Sequence, residues 1–364
     1  MLKRRYILMF ATLLLLFAGC VQDKTEDVKI DILGCRINAS IETPDSRVQL
    51  AENNRTVWSA GDRIAVVSTN YARAFEFEGA TGDTDGSFKE IGTFDVVPPY
   101  EFDRYYAIYS LDTFGGWSAD DNGNPALLFK VLSEQSYMPD SYGLHSNIML
   151  GESEDGKNFV FKNMLGYLRL SFTGGKCVQS IKITNSANTP LSGEAYFFVS
   201  DPSRCHWLTR NNYVTLNCGE GVQLSDKATN FYFALPPMTF KQGFEVEVSF
   251  TDGSSYTQFT NKIVAIKRNV ILPMAVMNAD FEQSDYHKLT LHYSGEIMRA
   301  PLFAGAFSGE VDWGDGNVTL LNKYTSYDFV DGNDSHVVTF SVLGAETFEI
   351  ESCEGITKID LSNF

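Results

Sequence analysis

The chain is dominated by short stretches in which apolar and polar residues alternate at a spacing of two. These stretches are rich in aromatic and β-branched residues, and clusters of Gly, Asn and Asp separate them, as is typical of β-strands joined by turns. Clear examples lie at residues 56–67, 105–109, 167–172, 180–184 and 244–250. No stretch of about twelve residues has a clean amphipathic helical pattern. The pattern therefore predicts an all-β fold of sandwiches or barrels.

Two polar clusters divide these strands into groups. Residues 152–157 (ESEDGK) precede the apolar strand at 159–161, and residues 278–286 (NADFEQSDY) follow a strand that ends near Val276. A chain of this length exceeds one ordinary hydrophobic core, so two or three domains are expected. We predict domains at residues 28–156, 157–283 and 284–364.

The first twenty residues have a different pattern, which is basic, then apolar, and ends at a cysteine. Basic residues at positions 3–5 precede an apolar stretch at 6–18. This stretch is too short for a bilayer-spanning helix, which needs about 20 residues, and the arrangement indicates a secretory signal peptide. The sequence LFAGC at residues 16–20 resembles a bacterial lipobox, which implies that Cys20 is acylated and begins the mature chain. An ordinary secretory signal is the alternative.

A lipobox implies a signal peptide at residues 1–19, a tether at 20–27 and an anchor in outer-membrane lipid of a Gram-negative bacterium. Two or more acyl chains hold a protein stably at a membrane. Asp23, Glu26 and Asp27 resemble the acidic tag that directs some lipoproteins to the cell surface, and a solvated tether is the alternative.

Loss of the three basic residues at positions 3–5 with the signal peptide changes the net charge from −17 to −20. An acidic body repels nucleic acid, so we expect no nucleic-acid partner.

The sequence lacks the usual patterns of catalytic and metal-binding residues. Its five histidines fall in no HExxH motif and beside no GxSxG motif, and its cysteines form no CxxC pair. We therefore expect no enzymatic activity, no cofactor and no metal. The five cysteines other than Cys20 are odd in number and scattered, which is not a disulfide framework. Only Cys205 and Cys218 are placed to pair across a hairpin.

Five motifs, in this order, resemble strands of the fimbrillin-like lipoproteins, the subunits and relatives of type V pili. They are RTVWSAGDRIAV at 55–66, YYAIY at 105–109, FKNMLGYLRL at 161–170, TPLSGEA at 189–195 and KRNVILP at 267–273. The resemblance covers about residues 28–280. It implies two consecutive β-sandwich domains of the transthyretin-like type.

The resemblance also implies a mode of assembly. In this family an arginine-specific protease cuts after the first strand, and a strand from another subunit fills the vacated groove. Residues 28–41 alternate in a way that suits a strand filling a slot, and Arg47 in the polar loop beyond best matches the cleavage site. Arg36 would be cut within the strand, and Arg55 lies close to the next one. The alternative is that Arg47 is a solvated loop residue and the strand stays in place.

The last predicted domain contains a W-G-D-G hairpin that resembles the hairpin of PKD-like extracellular modules of the Ig type. We expect Trp313 to cover the end of a sandwich, and Asp312 and Asp315 to belong to a structural turn in which Asp315 bonds turn amides. A calcium loop through Asp312, Asp315 and Asn317 is the alternative. Calcium takes six or more oxygen ligands, and three residues are too few, so the structural interpretation is preferred.

Two non-catalytic functions remain open. In the first, the protein is an accessory, tip or anchor component of a pilus that acts in adhesion, and its partners are other pilus subunits. In the second, it is a stand-alone outer-membrane lipoprotein that binds a glycan or host ligand. Trp117 and Trp207 would stack on sugar rings if they were exposed, although such aromatic residues more often fill a sandwich core.

Overall fold

The computed structural model describes residues 36–42, 56–69, 71–95, 101–102, 104–119, 123–280, 286–322 and 326–364. These residues form β-strands, turns and a short 3-10 helix at Leu111–Thr113, without an α-helix, so the predicted all-β fold is confirmed. Within the same ranges there is no helix of sufficient length and hydrophobicity to span a membrane. The predicted signal peptide, tether, lipidation site Cys20 and cleavage site Arg47 lie outside the described residues.

The first ten strands, numbered in chain order, build a barrel and three strands that leave it. They are β1 (Arg36–Ile41), β2 (Arg63–Ser68), β3 (Tyr71–Phe77), β4 (Asp85–Thr93), β5 (Tyr105–Tyr109), β6 (Phe114–Ala119), β7 (Pro125–Val131), β8 (Glu134–Ser136), β9 (Met149–Ser153) and β10 (Asn158–Asn163). Seven of them close into a barrel in the order β1-β10-β9-β5-β2-β3-β4. Its core contains Trp58, Ile64, Phe75, Phe88 and Phe161, all fully buried.

The next eleven strands form a sandwich. They are β11 (Gly166–Thr173), β12 (Cys177–Asn185), β13 (Gly193–Phe198), β14 (Asp201–Trp207), β15 (Tyr213–Gln223), β16 (Thr229–Leu235), β17 (Met238–Phe240), β18 (Phe244–Phe250), β19 (Ser255–Thr260), β20 (Val264–Ile266) and β21 (Ile271–Asn278). One sheet has the order β16-β11-β21, and β12, β15 and β18 supply the other. The two share a core that includes Leu168, Ile181, Val214, Phe231 and Val248.

Strands from before and after the predicted boundary at residue 156 pair with each other in the same sheets. β6 and β7 join β13 and β14 in a sheet of order β14-β13-β7-β6, and β8 pairs with β15. β10, which the sequence placed in the second domain, belongs to the barrel, because Phe159 and Phe161 fill the barrel core. The barrel therefore extends to Asn163, the last residue of β10. The division into domains stays a prediction.

Five of the last seven strands continue the larger sheet of the sandwich, and the other two pair with each other. The seven are β22 (His287–Tyr293), β23 (Ile297–Arg299), β24 (Leu302–Asp312), β25 (Val318–Leu320), β26 (Ser326–Asp328), β27 (His336–Glu349) and β28 (Ile356–Asn363). The combined sheet runs β28-β22-β27-β24-β19-β18-β12-β15-β8, with β25 on β24, and β23 pairs with β26. β19 and β24 join through the pairs Phe259–Phe307 and Thr260–Ala306. Phe259 of the sandwich packs in the core of this last unit.

Candidate functional site

The strand β1 lies between two neighbours in the wall of the barrel. It pairs in parallel with β10, from Asn38–Asn158 to Ile41–Phe161, and antiparallel with β4 on its other side. Ile37, Ala39 and Ile41 are buried in the barrel core, at the alternate spacing seen in the sequence. Because both edges of β1 are paired, its removal would expose two strand edges and an apolar groove.

The two ends of β1 are held by ion pairs of different kinds. At the start, Arg36 Nε donates a hydrogen bond of 2.7 Å to Glu78 Oε2, and the exposed fractions of these side chains are 67% and 34%. Just past the end, Glu42 pairs with Arg268, and the corresponding fractions are only 18% and 30%. Glu42 also accepts a hydrogen bond of 2.8 Å from the backbone N–H of Asn163. The end of β1 is thus held by the sandwich as well as by the barrel.

A cluster of buried amides lies behind this second ion pair. The Asn163 side chain donates to Asn269 Oδ1 at 2.7 Å and accepts from Asn147 Nδ2 at 2.6 Å. Tyr167 donates to Asn147 Oδ1 at 2.8 Å and stacks on Tyr142, and burial raises the pKa of its hydroxyl well above the usual value. Buried hydrogen-bond networks of this kind fix one arrangement of the surrounding strands.

The sequence did not single out the residues that hold the end of β1. Glu42 and Arg268 are 226 positions apart, and Asn163 and Asn269 are 106 positions apart. Arg268 and Asn269 appeared only as part of a strand motif. One local signal was available, because Asn269 has φ of 58°, a conformation that asparagine tolerates better than most residues.

The W-G-D-G hairpin is built from turn bonds and aromatic packing. Trp313 is fully buried, stacks on Tyr327 at 4.4 Å and donates from Nε1 to Thr319. Asp312 Oδ1 accepts from the N–H of Gly314, and Asp315 accepts from the N–H of Asn317 and from the Tyr327 hydroxyl. The described residues hold no group of three or more His, Cys, Asp or Glu side chains that could bind a metal ion.

We expect Asp315→Ala to destabilise the last unit modestly, by about 0.5–1.5 kcal/mol for each net hydrogen bond, with the lower end favoured because the carboxyl is near the surface. The bond from Tyr327 lowers the pKa of Asp315 below its usual value of 3.8. The ionised Asp315 carboxylate therefore gives its full stabilisation above pH 3.8, the pKa in the unfolded chain. This stabilisation is lost as the pH falls through the lowered pKa of the folded state. Chemical denaturation at pH 7 and pH 3 measures both effects. A melting temperature that chelator lowers by several degrees would instead indicate calcium.

The two tryptophans proposed for sugar stacking are both partly buried against the core that lies between the barrel and β13. Trp117 packs on Phe102 at 5.2 Å and on Phe114 at 5.6 Å, and its indole N–H is buried without a hydrogen-bond partner among the described residues. Trp207 is half-buried and lines a cleft of about 540 Å³. The other residues that line this cleft are Thr189, Pro190, Phe198, Arg204, Cys205, His206, Pro236, Pro237 and Met238. Trp207 is therefore the better placed of the two to contact a ligand.

The described cysteines are all free thiols. Cys205 and Cys218 do not pair. Cys205 packs against the hydrophobic core that lies between the barrel and β13, whereas Cys218 belongs to the core of the sandwich. Burial raises the pKa of Cys205 to about 11 and that of Cys218 to about 12. Both thiols therefore stay protonated and unreactive at neutral pH.

No family model matches the chain, and no curated protein matches it. Among solved structures it is similar to a protein from Bacteroides ovatus to which a cell adhesion role has been ascribed, with 14% identity, a TM-score of 0.41, and coverage of 67% of this chain and 91% of that chain. A protein from Bacteroides uniformis with the same ascribed role has 14% identity, a TM-score of 0.35 and coverage of 67% and 92%. The C-terminally truncated tip fimbrial protein Mfa3 from Porphyromonas gingivalis has 9% identity, a TM-score of 0.28 and coverage of 81% and 100%.

Proposed function

We propose that the chain is a lipid-anchored, fimbrillin-like surface protein that acts in adhesion as an accessory, tip or anchor component of a pilus. Its subunits would join by exchange of the first strand. The observation that carries this proposal is the position of β1, which is the first described strand and is paired on both edges in the barrel. The motifs that resemble fimbrillin strands support the same proposal.

The energetics favour replacement of β1 over its simple loss. Burial of an apolar side chain the size of isoleucine contributes about 1.5–3 kcal/mol, and each ladder hydrogen bond contributes about 0.5–1.5 kcal/mol. An empty groove between β4 and β10 would forfeit both terms, whereas a strand from a second subunit restores them. This is strand addition to exposed sheet edges.

Treatment of the purified mature protein with an arginine-specific protease tests the proposal. We expect cleavage at Arg47, release of the segment that carries β1, and oligomers that appear as a ladder on mildly denaturing gels. Arg47→Gln is the matched control, which should lack the cut at residue 47 and stay monomeric under the same conditions. A resistant wild-type chain, or a nicked monomer that keeps β1 and never oligomerises, contradicts strand exchange.

The proposed anchor leads to a separate expectation. Cys20→Ala removes the acylated thiol, so the protein should appear in the soluble fraction or remain as an uncleaved precursor. Fractionation of cells, combined with gel analysis of mature size, measures this result. Membrane association and mature size identical to those of wild type would rule out lipidation at Cys20.

The Trp207 cleft favours a second candidate function, which is binding of a glycan or host ligand by a stand-alone lipoprotein. Tryptophan presents a broad apolar face to a sugar ring, and the nearby Arg204 and His206 side chains offer hydrogen-bond donors. Binding to immobilised glycans or host surface proteins should weaken in Trp207→Ala and persist in Trp117→Phe. Equal binding by both variants and wild type would exclude this cleft.

A further inference from the structure

The segment that follows β1 is held by a residue from much later in the chain. Arg268 lies in the turn that leads into β21, and its Nη1 donates both to the Glu42 carboxylate and to the Asn163 carbonyl oxygen, the latter at 2.9 Å. Glu42 accepts the N–H of Asn163 at the same oxygen. One guanidinium therefore joins the ends of the parallel strands β1 and β10.

The turn that carries Arg268 is itself fixed in place. The N–H of Asn269 donates to the Leu165 carbonyl at 2.9 Å, and the N–H of Val270 donates to the Lys267 carbonyl at 3.2 Å. The buried Asn269 side chain also bonds Asn163. Because the backbone around Arg268 is restrained, only its side chain has to be ordered when it binds Glu42.

The ion pair at the opposite end of β1 lacks this support. Arg36 and Glu78 are much more exposed than Arg268 and Glu42, and both belong to the barrel. Exposed pairs are screened by water and salt and contribute little, whereas loss of one partner from a partly buried pair leaves the other charge poorly solvated. The restraint on β1 is therefore stronger at its end than at its start.

We propose that Arg268 is a latch through which the sandwich controls the release of β1 from the barrel. While Glu42 is bound to Arg268, the end of the strand stays in place and displacement has to begin at Arg36. Loss of the contact lets the strand open from both ends. The biological role of this latch rests on the proposed strand exchange, but the latch itself is measurable in the intact chain.

Amide hydrogen exchange in the full-length mature protein tests the latch. In Arg268→Gln we expect exchange at residues 38–42 to accelerate by about tenfold or more, with the amides of β2 and β5 unchanged, because the opening is local. Arg36→Gln is the matched control on the same strand and should accelerate these amides by less than about threefold. Arg268→Lys keeps the charge but loses the planar fork, so it should give an intermediate rate.

Two outcomes would overturn the latch. One is an equal acceleration in all barrel strands, which indicates general destabilisation, and the other is an equal effect of Arg268→Gln and Arg36→Gln. A double-mutant cycle with Glu42→Gln adds a further check, because the double variant should exchange no faster than the more strongly affected single variant. The protease experiment on wild type reports separately on strand exchange. If oligomers never form while Arg268→Gln still speeds hydrogen exchange in β1, strand exchange between subunits is excluded and the latch stands.

Discussion

A chain that begins at Val48, and therefore lacks β1, is expected to lose its closed barrel and to regain it when a peptide of residues 36–42 is added. Removal of β1 takes Ile37 and Ile41 out of the core, at about 1.5–3 kcal/mol each, together with both of its ladders. This loss is a large share of the about 5–15 kcal/mol that stabilises a typical domain. Chemical denaturation with and without the peptide measures the loss and the recovery.

The control peptide carries Ile37→Asp and Ile41→Asp, which place charges where the native side chains are buried. It should neither bind nor stabilise the truncated chain, because a buried unpaired carboxylate is costly. If the truncated chain is as stable as the full chain without any peptide, β1 is dispensable and the strand-exchange proposal fails. If both peptides rescue equally, the recovery does not depend on the side chains that fill the groove.

Trp58→Ala is expected to destabilise the barrel by about 3–5 kcal/mol, the usual cost of truncating a large buried aromatic side chain. Trp58 is fully buried and meets Phe88 and Phe161 edge to face, at 5.0 Å and 5.1 Å between ring centroids. Such pairs add about 0.5–1.5 kcal/mol beyond the burial of area. Chemical denaturation measures this loss of stability. Hydrogen exchange at the amides of β2 and β5 shows whether the loss lies in the barrel.

Val57→Ala, one position earlier, is the matched control for Trp58→Ala. The Val57 side chain is exposed, so its truncation should change stability by less than about 0.5 kcal/mol. A cost below about 1 kcal/mol for Trp58→Ala would mean that the barrel collapses around the missing ring and that the aromatic cluster contributes little to its stability.

The alternation of side chains predicted the strands well because it depends only on neighbouring residues. The motif at residues 105–109 coincides with β5, and residues 244–250 coincide with β18. Ile37, Ala39 and Ile41 occupy the buried face that their spacing implied. Trp313, expected to cover the end of a sandwich, is fully buried. In each case the face of a strand follows from its own sequence.

The partners of the strands were much harder to predict, because periodicity says which face is buried but not which strand lies alongside. The pairing of β1 with β10 joins residues 120 positions apart, and the sheet β14-β13-β7-β6 crosses the predicted boundary at 156. The Glu42–Arg268 contact depends on the first of these placements, because Arg268 also bonds Asn163 at the end of β10. A polar residue that acts through a distant partner leaves no periodic signal in its own segment.

The orientation of β1 has a mechanical consequence. Its backbone hydrogen bonds run sideways to β4 and β10, so a pull on the chain ahead of Arg36 acts along the strand and loads these bonds together in shear. Arg268 adds resistance at the far end, where the pulled strand would have to slide past it. A strand loaded in this way resists a pull from its N-terminal side, whereas the incoming strand of the proposed exchange would displace it one residue at a time.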